Sequence, residues 1–65
     1  MALKDKLISI VIPAMNEEGS IGSLLDDLEV VTKGIQDYKF EIIVVNDHSI
    51  DNTVAIALSK KVKVI

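Results

Sequence analysis

The sequence predicts an α/β fold, a partial doubly wound (Rossmann-like) parallel sheet in the order β-α-β-α-β, truncated after its third strand. Three observations predict it. Two β-branched runs, LISIVI (Leu7 to Ile12) and FEIIVV (Phe40 to Val45), are separated by a stretch whose apolar residues recur at helical spacing. A polar turn cluster with carboxylates follows each run, and a shorter helical pattern precedes a last apolar segment. Strands alternating with helices in this way build parallel sheets with right-handed crossovers.

Leu7 to Ile12 is nearly continuously apolar and closes at Pro13, the pattern of a strand covered on both faces. From Glu17 to about Lys33, Ile21, Leu24, Leu25, Leu28 and Val31 share one helix face, with Asp26, Asp27, Glu29 and Lys33 toward the other. Asn16 is the expected N-cap, Glu17 and Glu18 suit the positive helix end, and Gly34 ends the helix. Gly19 and Gly22 fall inside this predicted helix, where they suit flexibility near its start. Phe40 to Val45 is the second strand, and Asn46 to Asn52 is the turn after it. Ser49 or Asp51 then caps a second helix, which packs through Val54, Ala55, Leu58 and Ala57. Val62 to Ile65 is the third strand, expected at a sheet edge. Because no helix closes it, residues 1–65 are expected to be a fragment of a longer protein.

The chain has 65 residues, 49% of them apolar, and its aromatic residues are Tyr38 and Phe40. So small a body buries only about 60% of the surface its unfolded chain exposes, so the core must be a compact aliphatic one. There is no cysteine, which removes disulfides and thiolate metal sites and leans toward the cytosol. A net charge of −3 with scattered lysines gives no footprint for nucleic acid. Lys4 and Lys6 precede an apolar run too short to span a membrane and poorly shaped for a secretory signal.

Parallel strands aim their carboxyl ends at one rim, so Pro13 to Glu17 and Asn46 to Ser49 should meet there. Glu17 and Asp47 can accept hydrogen bonds from a nucleobase imide or ribose hydroxyls, and free backbone groups at Pro13, Ala14 and Met15 add fixed polar contacts. The same residue types also cap helices and build turns, and spacing alone leaves both readings open. Asp51 with Thr53 is read as a helix-start device. His48, without a visible partner, is read as a turn residue and not as an acid or base. Asp26, Asp27 and Glu29 cannot converge on one ion, since successive helix positions diverge by about 100°. No glycine fingerprint for a dinucleotide and no Walker lysine is present.

SIVIPAMNEEGSI followed by EIIVVNDHSIDNT resembles the amino-terminal end of family 2 glycosyltransferases of the GT-A type, from Leu7 to Ala57. The resemblance implies an inverting enzyme that moves a sugar from a nucleoside diphosphate donor, a UDP- or GDP-sugar, to a saccharide or lipid-phosphate acceptor. It implies that Pro13, Ala14 and Met15 lie along the nucleoside, that Glu17 contacts base or ribose, and that Asp47 accepts from the base. Asn16, Ser49, Asp51 and Thr53 would order the turns and the following helix. Met15 stands where the family often has an aromatic ring, and His48, Ile50 and Asn52 stand where it often has glycine, threonine and glycine.

A divalent cation, Mg²⁺ or Mn²⁺, is implied for the whole enzyme, but no two aspartates here bracket a single residue as its ligands do in the family. Catalytic base, metal ligands and acceptor site are therefore expected outside this chain, which alone should be inactive. A cytoplasmic protein, held at a membrane's cytoplasmic face through other segments, fits this picture. The alternatives are a non-catalytic nucleotide-binding module and a purely structural truncated relative.

Overall fold

The computed structural model describes residues 6–65, so Lys4 lies outside the described residues. The element order is β1 (Leu7–Ala14), α1 (Ile21–Lys33), β2 (Lys39–Asn46), α2 (Thr53–Ser59) and β3 (Lys63–Val64). The strands form one parallel sheet in the order β1-β2-β3, with Ile10 opposite Ile42, Ala14 opposite Asn46 and Val44 opposite Val64. β3 is short, but it is prolonged by Asn46 N donating to Ile65 O and Ile65 N to Val44 O, both at 2.9 Å.

β1 runs through Pro13, which pairs in register with Val45, instead of stopping before it. Proline lacks a ladder donor, and an edge strand such as β1 has one side where none is needed. The expectation that this strand is covered on both faces does not hold among the described residues. Both crossovers step the same way along the sheet, and right-handed connections then place both helices on one side. Ile12, Ala14, Ile42 and Val44 face the helices and pack with Ile21, Leu25, Leu28, Ile56 and Ala57. On the opposite face Leu7 and Val11 stay more than half exposed. The buried core, Ala14, Ile21, Leu25, Val44 and Ala57, is wholly aliphatic.

α1 begins at Ile21, behind Ser20, and not at Glu17. Glu17, Glu18 and Gly19 form a preceding turn in which Glu17 O accepts from Ser20 N and Ile21 N at 3.0 and 2.8 Å. Neither glutamate therefore sits in the first helical turn, and Asn16 is not the N-cap. Gly34 does end the helix, in an ordinary right-handed conformation. Gly22 lies where α2 crosses α1: a Cβ there would stand 3.3 Å from Ile56 Cγ2, so its smallness sets the helix approach. Lys60 Nζ bridges the two helices to Asp26 at 2.9 Å, and Lys33 Nζ pairs with Glu29 at 2.7 Å along α1.

The packing face of α2 also differs from the expectation. Thr53 and Ala57 are fully buried and Ile56 packs on the core, whereas Leu58 is 57% exposed and Ala55 is on the surface. A helix of seven residues is about two turns long, too short for apolar spacing to fix its rotation.

Candidate functional site

The carboxyl ends of β1 and β2 lie side by side, joined where Asp47 N donates to Ala14 O at 2.8 Å. Beyond this point each chain must turn sharply, and each does so through a left-handed residue, Asn16 (φ 52°) and His48 (φ 56°). Asparagine and histidine enter that region more readily than most side chains. The two turns are then tied to one another. Asn16 N donates to Ser49 Oγ at 3.0 Å, and Ile50 N donates to Asn16 Oδ1 at 2.9 Å. Glu18 N donates to Asp51 Oδ2 at 3.2 Å, while Asn52 N donates to Glu18 Oε2 at 3.3 Å.

Thr53 is the centre of this arrangement. Its buried Oγ1 accepts from Glu17 N at 2.7 Å and donates to Asp51 Oδ1, which also accepts from Thr53 N at 3.0 Å. The Thr53 hydroxyl bond, followed by backbone donors, holds the Asp51 carboxyl below the ordinary aspartate range against the opposing effect of its partial burial. Neither Ser49 nor Asp51 acts as the N-cap of α2, which is Asn52 without a side-chain bond. Ser49 instead closes its own turn, its N donating to Asn46 Oδ1 at 3.1 Å.

These bonds divide the rim residues into two sets. Asn16, Glu18, Ser49, Asp51 and Thr53 are occupied in joining the loops. Ala14 is buried and its carbonyl is taken, so it fixes the strand end while Pro13 and Met15 carry the exposed surface. The Glu17 carboxylate is exposed and, among the described residues, accepts only a long bond from Ser20 Oγ, 3.3 Å. The Asp47 side chain is 70% exposed, and its one partner among the described residues is His48 Nδ1, 3.0 Å from Oδ1. Glu17 and Asp47 thus project from two loops bonded into one unit, both with acceptor capacity unspent.

A groove of about 550 Å³ lies at the other end of the sheet, between the second half of α1, Phe40 and Lys63. It includes none of the rim residues, and Lys33, Lys60, Lys61 and Lys63 are among those that line it. Among the described residues no group of three His, Cys, Asp or Glu could hold a metal ion. Likewise, no described helix is long and apolar enough to cross a membrane.

The sequence model of glycosyl transferase family 2 matches residues 9–65. The chain belongs to this family. Dolichyl-phosphate beta-glucosyltransferase of Drosophila melanogaster is 43% identical over 60 residues, which cover 83% of this chain and 18% of that protein. Glucosyl-3-phosphoglycerate synthase of Mycobacterium tuberculosis is 35% identical over 60 residues, covering 92% of this chain and 18% of the synthase. The crystal structure of a Mycobacterium tuberculosis glucosyl-3-phosphoglycerate synthase in complex with UDP superposes with a TM-score of 0.75. That match has 33% identity and covers 98% of this chain and 22% of the synthase chain. The fold is therefore the opening β-α-β-α-β portion of the GT-A type, and the chain spans about a fifth of the length of these relatives.

Proposed function

We propose that this chain is the donor-nucleotide portion of an inverting glycosyltransferase, in which a UDP- or GDP-sugar gives its sugar to a saccharide or lipid-phosphate acceptor. Residues 1–65 are the amino-terminal part of its GT-A domain. The observation that carries this reading is the unspent carboxylate of Asp47 at the rim, in a chain that superposes on a UDP-bound relative. Asp47 accepts from the imide N–H of the base, Glu17 from base or ribose, and Pro13 to Met15 lie along the nucleoside. The similarity to a dolichyl-phosphate beta-glucosyltransferase supports a lipid-phosphate acceptor and a place at a membrane, and the proposed side is the cytoplasmic face.

In the transfer an acceptor oxygen attacks the anomeric carbon, the bond to the diphosphate breaks, and the electron pair leaves with the diphosphate. Inversion follows from attack opposite the leaving group. The acceptor proton goes to a base outside these residues, so the chain by itself binds without turnover. A divalent cation, Mg²⁺ or Mn²⁺, belongs to the proposed whole enzyme, but the described residues do not fit one.

Titration of the chain with UDP, followed by amide NMR, tests this. Shifts should concentrate at Met15 to Glu17 and Asp47 to Ser49. Asp47→Asn should weaken binding about tenfold or more, the order expected for losing a charged acceptor, with an unchanged spectrum elsewhere. An absence of shifts would leave a structural chain without a nucleotide, and sugar transfer by the purified chain would refute its inactivity.

A further inference from the structure

We infer that His48 is a positioning residue for Asp47, holding its carboxylate in the orientation that selects an imide-bearing base. The inference deepens the proposed donor site and rests on it. His48 occupies a left-handed backbone position, φ 56°, where glycine is free of the penalty that an L side chain meets. Its side chain is 96% exposed, so no packing offsets that penalty. Among the described residues the imidazole makes one polar contact, Nδ1 to Asp47 Oδ1 at 3.0 Å. An ionised carboxylate only accepts, so Nδ1 carries the proton and donates.

Asp47 has the complementary property. Asn16, Glu18, Ser49 and Asp51 are fixed by bonds to the opposite loop, and Glu17 is held only by Ser20 of its own turn. Among the described residues the Asp47 carboxylate has only its neighbour's ring. Without that bond an exposed aspartate samples its rotamers freely and must lose that freedom when a base arrives. With Oδ1 engaged, Oδ2 remains for a ligand donor. Uracil presents an N–H at that edge, whereas cytosine presents an acceptor nitrogen that a carboxylate repels. His48 therefore acts through Asp47 to favour UDP over CDP.

The experiment is an NMR titration of this chain with UDP and with CDP, in His48→Gly, His48→Asn, Asp47→Asn and the double variant Asp47→Asn/His48→Gly. His48→Gly should keep the folded spectrum, bind UDP about three- to tenfold more weakly, in line with one hydrogen bond, and leave CDP unchanged. His48→Asn, which tolerates the left-handed position and still donates, should recover part of the loss. In the Asp47→Asn background the glycine change should have no further effect, as required if His48 works only through that carboxylate. Equal UDP affinity in His48→Gly and the unaltered chain would overturn the inference alone. So would a loss that persists without Asp47, which would mean direct contact. No binding of UDP by the unaltered chain would overturn the donor-site reading and this inference together.

Discussion

The two ends of the sheet are built differently. At the carboxyl end, side chains from the turn after β1 and the turn before α2 bond to each other's backbone through Asn16, Ser49, Glu18, Asp51 and Thr53. At the amino end the connections are held mainly by short-range backbone bonds, Gly34 N to Val31 O, Ile35 N to Thr32 O and Lys61 N to Leu58 O, with the exposed Lys60–Asp26 pair as a long-range side-chain tie. A turn that only reverses direction needs no more than that. The comparison teaches where the chain has invested polar side chains in rigidity, and it is the rim where Glu17 and Asp47 stand. Rigid loops with unspent acceptors suit binding, because little order remains to be imposed when a ligand arrives.

The contrast breaks most visibly at Thr53. Thr53→Val keeps the volume but strands Glu17 N and removes a donor from Asp51, which should cost about 2–3 kcal/mol. In a domain this small, whose core supplies only about 3–5 kcal/mol, urea denaturation should find the midpoint lowered by roughly half or more. Thr32→Val, at the other end, removes only local bonds to Leu28 O and Glu29 O and should change stability by less than about 0.5 kcal/mol.

Acid sharpens the same contrast. Asp51 titrates below its ordinary value of 3.8 in the folded chain, so the unfolded chain takes up the proton more readily. Its contribution is complete above about that ordinary value and disappears as pH falls through the folded one. Denaturation midpoints between pH 6 and pH 3 should therefore drop, and Asp51→Asn should flatten the acid part of that curve.

A further modest effect comes from a left-handed residue at the amino end of the sheet. Lys61, φ 62°, follows the end of α2 where glycine or asparagine is usual. Lys61→Gly should raise stability by about 0.5–1 kcal/mol, read from the urea midpoint, and leave UDP titrations untouched. A change in ligand affinity there would contradict the division between the ends.

Much of this was legible in the chain. The β-branched runs located β1 and β2, Gly34 located the end of α1, and the pairing of polar clusters after each strand located the rim. The start of α1 was misplaced because Asn16 and Glu18 resemble helix-start residues locally, while their bonds run to a segment more than thirty positions away. Ile21, where the apolar spacing begins, was the better signal. Thr53 looked like a simple helix opener; that it shares the packed face of α2 with Ala57, one turn on, was the available hint of its burial. The Asp47–His48 bond joins neighbours in sequence, yet it depends on a backbone handedness that residue type alone does not announce.

The one-sided placement of the helices has a practical consequence. Leu7, Val11 and Ile65 leave an oily plane on the uncovered face of the sheet, each more than half open to water. Purified alone, the chain should bind fluorescent dyes such as ANS and broaden its NMR lines as concentration rises, because stacking two such planes removes apolar surface from water. Dilute samples with a mild detergent are thus the conditions in which its nucleotide chemistry should be measured.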